Sequence, residues 1–235
     1  MQSQTLSSRI PVAELSAQSR SDFIWRTYGH VAAAILLFAG IETYLFDSGL
    51  AVPMVQSMLG FNWLLILGAF MIVGWLATHV AHTVQSKPLQ YVALVGFVVA
   101  QAIIFLPLLA IAMSLQPGIV ESAVGVTLLG TGGLTAVAFI TRKDFSFLRG
   151  MLVWGGILAL IGIAASVLFG FQLGTWFSVA MIGFAGAAVL YDTSNILHHY
   201  PEDRYVGAAL QLFASIALMF WYVLRLFMSR DSSRG

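Results

Sequence analysis

The sequence predicts an all-α membrane protein, a seven-transmembrane-helix bundle, and three observations carry that reading. Of its 235 residues, 59% are hydrophobic and only 9% charged, against about 25% charged in ordinary soluble domains. Mean hydropathy is +0.89. The apolar residues gather into seven runs, each near the length of about 20 residues that one bilayer crossing needs. A chain so poor in charge cannot cover a water-facing surface, which excludes a soluble enzyme and a disordered chain. Its net charge of +1 offers no cluster of Lys and Arg for phosphates, so no nucleic-acid partner is expected. Zero cysteines exclude disulfides, thiolate nucleophiles and cysteine metal sites.

Residues 1–22 are polar and lack an apolar h-region, so they read as an unstructured cytoplasmic tail with no cleavable signal. Span one follows near Phe23–Phe46 and stops at Asp47-Ser48-Gly49. Span two runs near Asn62–His82, and Ser86-Lys87-Pro88 separates it from span three, near Tyr91–Leu115. Gln116-Pro117-Gly118 is so short a break that span three and span four (Ile119–Ile140) must form a tight helical hairpin. Span five lies near Phe147–Phe169, span six near Trp176–Leu197 and span seven near Tyr205–Met228, with breaks at Gly170 to Gly174 and Tyr200-Pro201-Glu202. The domains are then the tail (1–22), one transmembrane domain (23–228) and a short C-terminal tail (229–235).

With an odd number of spans the termini lie on opposite faces. A cytoplasmic N-terminus places Arg9, Arg20, Arg26, Lys87, Arg142, Lys143, Arg149 and Arg204 inside, and only Arg225, Arg230 and Arg234 outside. The split of 8 to 3 favours that orientation. Many of the 22 glycines lie within spans, among them Gly130, Gly132, Gly133, Gly155, Gly156, Gly183 and Gly186. Small residues let helices approach closely where lipid gives no hydrophobic drive.

Charges inside spans cost a few kcal/mol and so need a reason. Glu42, about one turn from the outer boundary, is read as interfacial. His79 and His82 share a helical face at the inner end of span two, and His198 and His199 follow span six. A tight metal site wants three or four ligands, so no metal is expected. Asp192 lies about 9 Å inside span six at 1.5 Å per residue, too deep for so short a side chain to snorkel. Asn195 and His199 continue a polar stripe from it. In span seven Gln211 lies at a similar depth and Ser215 one turn deeper, both able to hydrogen-bond the acid. The acid is either a packing residue or a titratable group or cation ligand facing the bundle interior. A reversible charge pair with His79 or His82 is a further expectation. No catalytic residue is expected, because Ser215 and Asp192 lack a connecting histidine at that depth.

Several segments resemble the Bax inhibitor-1 (transmembrane Bax-inhibitor-motif) family. They are Thr141-Arg142-Lys143-Asp144-Phe145-Ser146-Phe147-Leu148-Arg149-Gly150, Leu190-Tyr191-Asp192-Thr193-Ser194-Asn195-Ile196-Leu197-His198 and Ala208-Ala209-Leu210-Gln211-Leu212-Phe213. Arg26-Thr27-Tyr28 and Ser86-Lys87-Pro88 also fit. The resemblance implies a bundle whose last helix is central, and a pH-sensitive calcium leak or a role in stress responses. No cofactor is implied, with calcium only as a transported ion. In many members two acids, one on span six and one on span seven, form the pH sensor. Asp192 matches the first. The second falls at Ser215, so the pair is absent here.

That departure, with Thr-Ser-Asn-Ile after the acid and Arg142-Lys143-Asp144 before Ser-Phe-Leu, resembles the bacterial YccA-like branch. The branch implies an inner-membrane protein that modulates the membrane AAA+ protease FtsH, whose complex engages the polar N-terminal tail. The Arg142, Lys143 and Asp144 loop is then the candidate protein-interaction segment.

Overall fold

The computed structural model describes residues 10–231. The helices are α1 (Ala17–Asp47), α2 (Ala51–Leu59), α3 (Trp63–Thr83), α4 (Lys87–Leu115), α5 (Ile119–Thr141), α6 (Leu148–Phe169), α7 (Thr175–His198) and α8 (Tyr205–Asp231). Single 3-10 turns cover Val12–Glu14 and Glu202–Arg204, and no strand occurs among the described residues. Seven helices, α1 and α3 to α8, are long and apolar enough to cross a membrane, so the seven expected spans are present. The protein is a multi-pass membrane protein.

Helix ends follow local chemistry. Ser16 caps α1, its hydroxyl accepting from the Ser19 N–H at 3.2 Å, and Asn62 caps α3 by accepting from the Leu64 N–H at 2.9 Å. Gly118 has φ +83, which glycine adopts freely and which lets α4 turn back into α5 as the hairpin requires. Arg142 ends α5 at φ 51, the left-handed region without a glycine.

Two expectations need correction at the start of the chain. Residues 12–21 are not unstructured. Val12 is wholly buried, its N–H donates to the Tyr200 carbonyl at 2.9 Å, and Pro11 bridges Pro201. Arg20 Nε donates to the Val12 carbonyl at 3.3 Å and its Nη2 to the Ala13 carbonyl. One apolar side chain and an arginine suffice to dock a segment whose composition reads as tail. Residues 1–9 of that tail and 232–235 of the C-terminal tail lie outside the described residues. Glu42 is not interfacial either. It is buried, and both carboxylate oxygens lack a hydrogen-bond partner among the described residues.

The core forms around α8, which packs against α1, α3, α4, α5 and α7. Phe38, Phe105, Phe220 and Trp221 interlock there: Phe105 stacks on Phe220 at 5.5 Å and meets Trp221 edge-on at 4.9 Å. By contrast α6 packs on α7 and only grazes α3. Trp75, Ile140, Phe169 and Trp176 point outward, as lipid-facing side chains can in a bilayer.

Of the glycines, Gly155 faces Phe184 and Gly186 faces Leu134, whereas Gly132 and Gly183 have open space beside them. The close approach made by backbone is one the sequence does not single out. A Cβ on Gly207 would sit 2.9 Å from the Ala81 carbonyl oxygen, which is backbone and cannot swing away. Gly207→Ala should therefore lower stability by about 1–3 kcal/mol, whereas Gly132→Ala should be neutral or gain up to about 1 kcal/mol from helix propensity. Thermal unfolding of both variants in one detergent checks this, and equal melting temperatures would contradict it.

Candidate functional site

Where α7 crosses α8, Asp192 is 2% exposed and Ser215 5%. Ser215 Oγ donates to Asp192 Oδ2 at 2.5 Å, a short charge-assisted distance. Small neighbours make the crossing possible, since Ala185 and Val189 on α7 and Ala208 and Ala209 on α8 are fully buried. The helical repeat puts Asp192 on the same side of α7 as this small-residue seam.

The pair borders a cavity of about 650 Å³ enclosed by α3, α4, α6, α7 and α8. Its walls are mainly apolar, with Phe70, Phe97, Phe105, Phe184 and Trp221 among them. Polar groups enter it at three levels. Arg149 stands at the end where α1 begins, Gln211, Asp192, Ser215 and Gln101 lie at mid-depth, and Arg225 stands at the far end. Arg225 Nη2 also donates to the Leu173 carbonyl at 3.0 Å. Gln101 was not anticipated. It is buried and its amide oxygen has no hydrogen-bond partner among the described residues. Its signal was an amide in the middle of the apolar run of span three.

Gln211 shares the cavity with Asp192, but neither it nor Asn195 hydrogen-bonds the acid among the described residues. The expected pairing of Asp192 with the span-two histidines does not form. His79 is exposed and stacks on Trp75 at 5.5 Å. His82 places Nδ1 2.8 Å from the Thr78 carbonyl and Nε2 3.2 Å from the Tyr200 hydroxyl. The acid points along the α7–α8 seam while these rings turn elsewhere. Burial pushes the Tyr200 hydroxyl well above the ordinary tyrosine range, with the Asp192 charge adding to the effect. No group of three or more His, Asp or Glu able to hold a metal occurs among the described residues.

The basic loop docks on the end of α7. Ser194 Oγ accepts from the Phe145 N–H at 2.9 Å and lies 3.4 Å from Asp144 Oδ1. His199 Nε2 lies 3.0 Å from Asp144 Oδ2. The Ser146 backbone N–H, and after it the His199 ring, hold the Asp144 carboxyl below the usual aspartate value. Arg142 and Lys143 stay exposed. Of the three loop residues, Asp144 is thus spent on the fold and the two cations face outward.

What the site offers chemically is an acid with one hydroxyl donor in an apolar chamber. That suits holding a proton or a cation. A serine bonded directly to a carboxylate is not a nucleophile-and-base arrangement, which needs a histidine between them.

The sequence profile described as Inhibitor of apoptosis-promoting Bax1 matches residues 20–232. Among similar proteins, the Modulator of FtsH protease YccA of Escherichia coli (strain K12) is 33% identical over 150 residues, covering 62% of this chain and 68% of that protein. An uncharacterised protein of Campylobacter jejuni is 31% identical over 226 residues, 89% of this chain and 90% of its own length. The BI1-like protein of Arabidopsis thaliana is 29% identical over 223 residues, 92% of this chain and 83% of its own. With the profile covering nearly every described residue of a seven-span bundle, the chain belongs to the Bax inhibitor-1 family, the inhibitors of apoptosis-promoting Bax1.

Proposed function

We propose that this protein is an inner-membrane, multi-pass modulator of a membrane AAA+ protease of the FtsH type. The observation that carries the reading is its similarity to a protein named for modulating that protease, and a second relative is named as an inner membrane protein. The handle is the N-terminal segment before Val12, and Val12 itself docks on the Tyr200 loop with Arg20 bonded to its carbonyl. A protease pulling on that segment must first extract one buried valine. The exposed Arg142 and Lys143 stand at the same end of the bundle and supply a docking face.

The N-terminus is cytoplasmic in this reading. The end where α1 begins carries Arg20, Arg26, Lys87, Arg142, Lys143, Arg149 and Arg204, whereas the far end carries Asp47 and Glu121 with Arg225 and Arg230 on the last helix. A reporter active only in the cytoplasm should be silent when fused after Gly235, and activity there would reverse the orientation. A chain lacking residues 2–10 should insert normally and be degraded more slowly in membranes that contain the protease. Val12→Asp should undock the segment and shorten the half-life by about twofold or more. Unchanged turnover in both variants removes the handle.

A specific observation favours a second reading, a cation leak. The chamber brings Asp192, Ser215, Gln211 and Gln101 to one cavity, and a lone carboxylate with hydroxyl and amide oxygens can hold calcium. Asp192→Asn keeps the size of the side chain and removes its charge. In proteoliposomes it should reduce calcium flux about tenfold or more, since each 1.4 kcal/mol is tenfold. Absent flux in wild type and variant, with a lower melting temperature on mutation, makes Asp192 a packing residue.

A further inference from the structure

On the opposite side of α1 from the Tyr28 face, three cations and three aromatic rings converge where α1, α4 and α8 meet. Lys87 Nζ lies 4.2 Å from the centroid of the Tyr205 ring, and the Arg26 guanidinium lies 5.7 Å from the same centroid. His30, one turn deeper than Arg26, packs its ring 5.2 Å from Tyr205 and 5.4 Å from Tyr91. Its Nε2 is 3.0 Å from the Tyr91 hydroxyl. Arg204 completes the group, donating to the Val84 carbonyl at 2.8 Å.

The charges here do not balance. Among the described residues the one carboxylate paired with these cations is Asp203, which meets Arg204 at 3.4 Å. Lys87 is left with the Asp203 backbone carbonyl. Asp22, one turn before Arg26, takes a hydrogen bond from Gln18 at 3.1 Å and makes no ion pair among the described residues. Helix geometry adds to the positive field. Lys87 opens α4, and Ser86 makes no side-chain cap bond there, so the positive end of the helix dipole is open beside the ammonium group. Three cations beside a single carboxylate leave a net positive charge, which stabilises an anion placed among them.

The level of the site in the bilayer says which anion. Lys87 opens α4, and Arg26 lies in the third turn of α1, near the start of its apolar run, where Trp25 beside it is 81% exposed, the placement of an interfacial anchor. Phosphates of the headgroup layer lie at that depth, and basic pockets between helices hold acidic headgroups.

We propose that the phosphate of an anionic phospholipid seats against Arg26 and Lys87, over the Tyr205 ring, in the notch between α1, α4 and α8. The Tyr205 ring, itself packed against His30, holds both cations within 5.7 Å of its centroid, so that one phosphate can meet both rather than each trailing into water. The lipid then ties the first span to the last, beside the loop that receives Val12.

The test uses the full chain in mild detergent, titrated with phosphatidylglycerol, with phosphatidylcholine and with inorganic phosphate, reading melting temperature and bound lipid by native mass spectrometry. Phosphatidylglycerol should raise the melting temperature and bind about thirtyfold more tightly than phosphatidylcholine, from about 1 kcal/mol at each of the two cations. Arg26→Gln removes only a ring contact and should fold normally. It should lose most of that preference, and Lys87→Gln with it should erase the preference. The paired change Arg142→Gln and Lys143→Gln removes equal charge from the same end and should leave the preference within about twofold, well under the fall expected from about 2 kcal/mol at the notch. If the loop variant loses as much as the Arg26 variant, the binding is diffuse surface charge and the site is overturned. If inorganic phosphate reproduces the stabilisation and displaces the lipid, the notch is a free-anion site and the lipid assignment fails.

Discussion

The hydrogen bond from Ser215 to Asp192 fixes how the two most intimately packed helices meet. A carboxylate buried in a bundle is stabilised by a donor within the protein, because lipid supplies none; Asp192 has one, whereas Glu42 has none among the described residues. With Ser215 Oγ at 2.5 Å, α7 and α8 share one rotational setting. That setting turns Ala208 and Ala209 into the seam and sends Phe220 and Trp221 toward Phe105. The aromatic cluster, the chamber beside it and the central packing of α8 follow from that setting. A slip of one residue along α8 would place Ile216 against the acid and leave it without a donor.

The two ends of the bundle differ in how firmly they are closed. At the end where α1 begins, Val12 is bonded to Tyr200, Lys87 to Asp203, Arg204 to Val84, and Phe145 and Asp144 to Ser194. The far end is held mainly by apolar contact, with Arg225 on the Leu173 carbonyl and Thr175 3.4 Å from Ser229. Elements with few polar ties and little buried area open most easily. By that criterion α6, which is poorly buried and only grazes α3, is the mobile wall of the chamber. Ligands would then enter from the far end or between those two helices.

The spans were legible because bilayer thickness converts directly into run length, and depth along a span was legible because the rise per residue is fixed. Asp192 and Ser215 therefore meet as their depths suggest. Azimuth and partners were not legible. His79 and His82 sit at a suitable depth for the acid, yet they turn toward Trp75 and Tyr200, since apolar flanks give no sign of which face is internal. Glu42 reads as interfacial from its distance to Asp47, but the short helix α2 and its contacts with α4 wrap that end. The sequence hides α2 because Pro53 and Ser57 make its nine residues look like a break. Val12 escaped notice for the same reason: one docking residue leaves no periodic pattern.

Ser215 in place of a second acid changes what a proton can do at the seam. Two facing carboxyl groups hold a hydrogen bond only while one of them keeps its proton, so losing that proton turns the contact into repulsion. A serine hydroxyl donates to the carboxylate whether or not a proton is available from solution. The α7–α8 contact at this level therefore persists when Asp192 is ionised, and protonation merely exchanges one hydrogen-bonding pattern for another. A seam built this way is poorly suited to spring open on deprotonation. It suits a rigid scaffold that presents the Arg142–Lys143 loop and the Val12 segment at a fixed spacing.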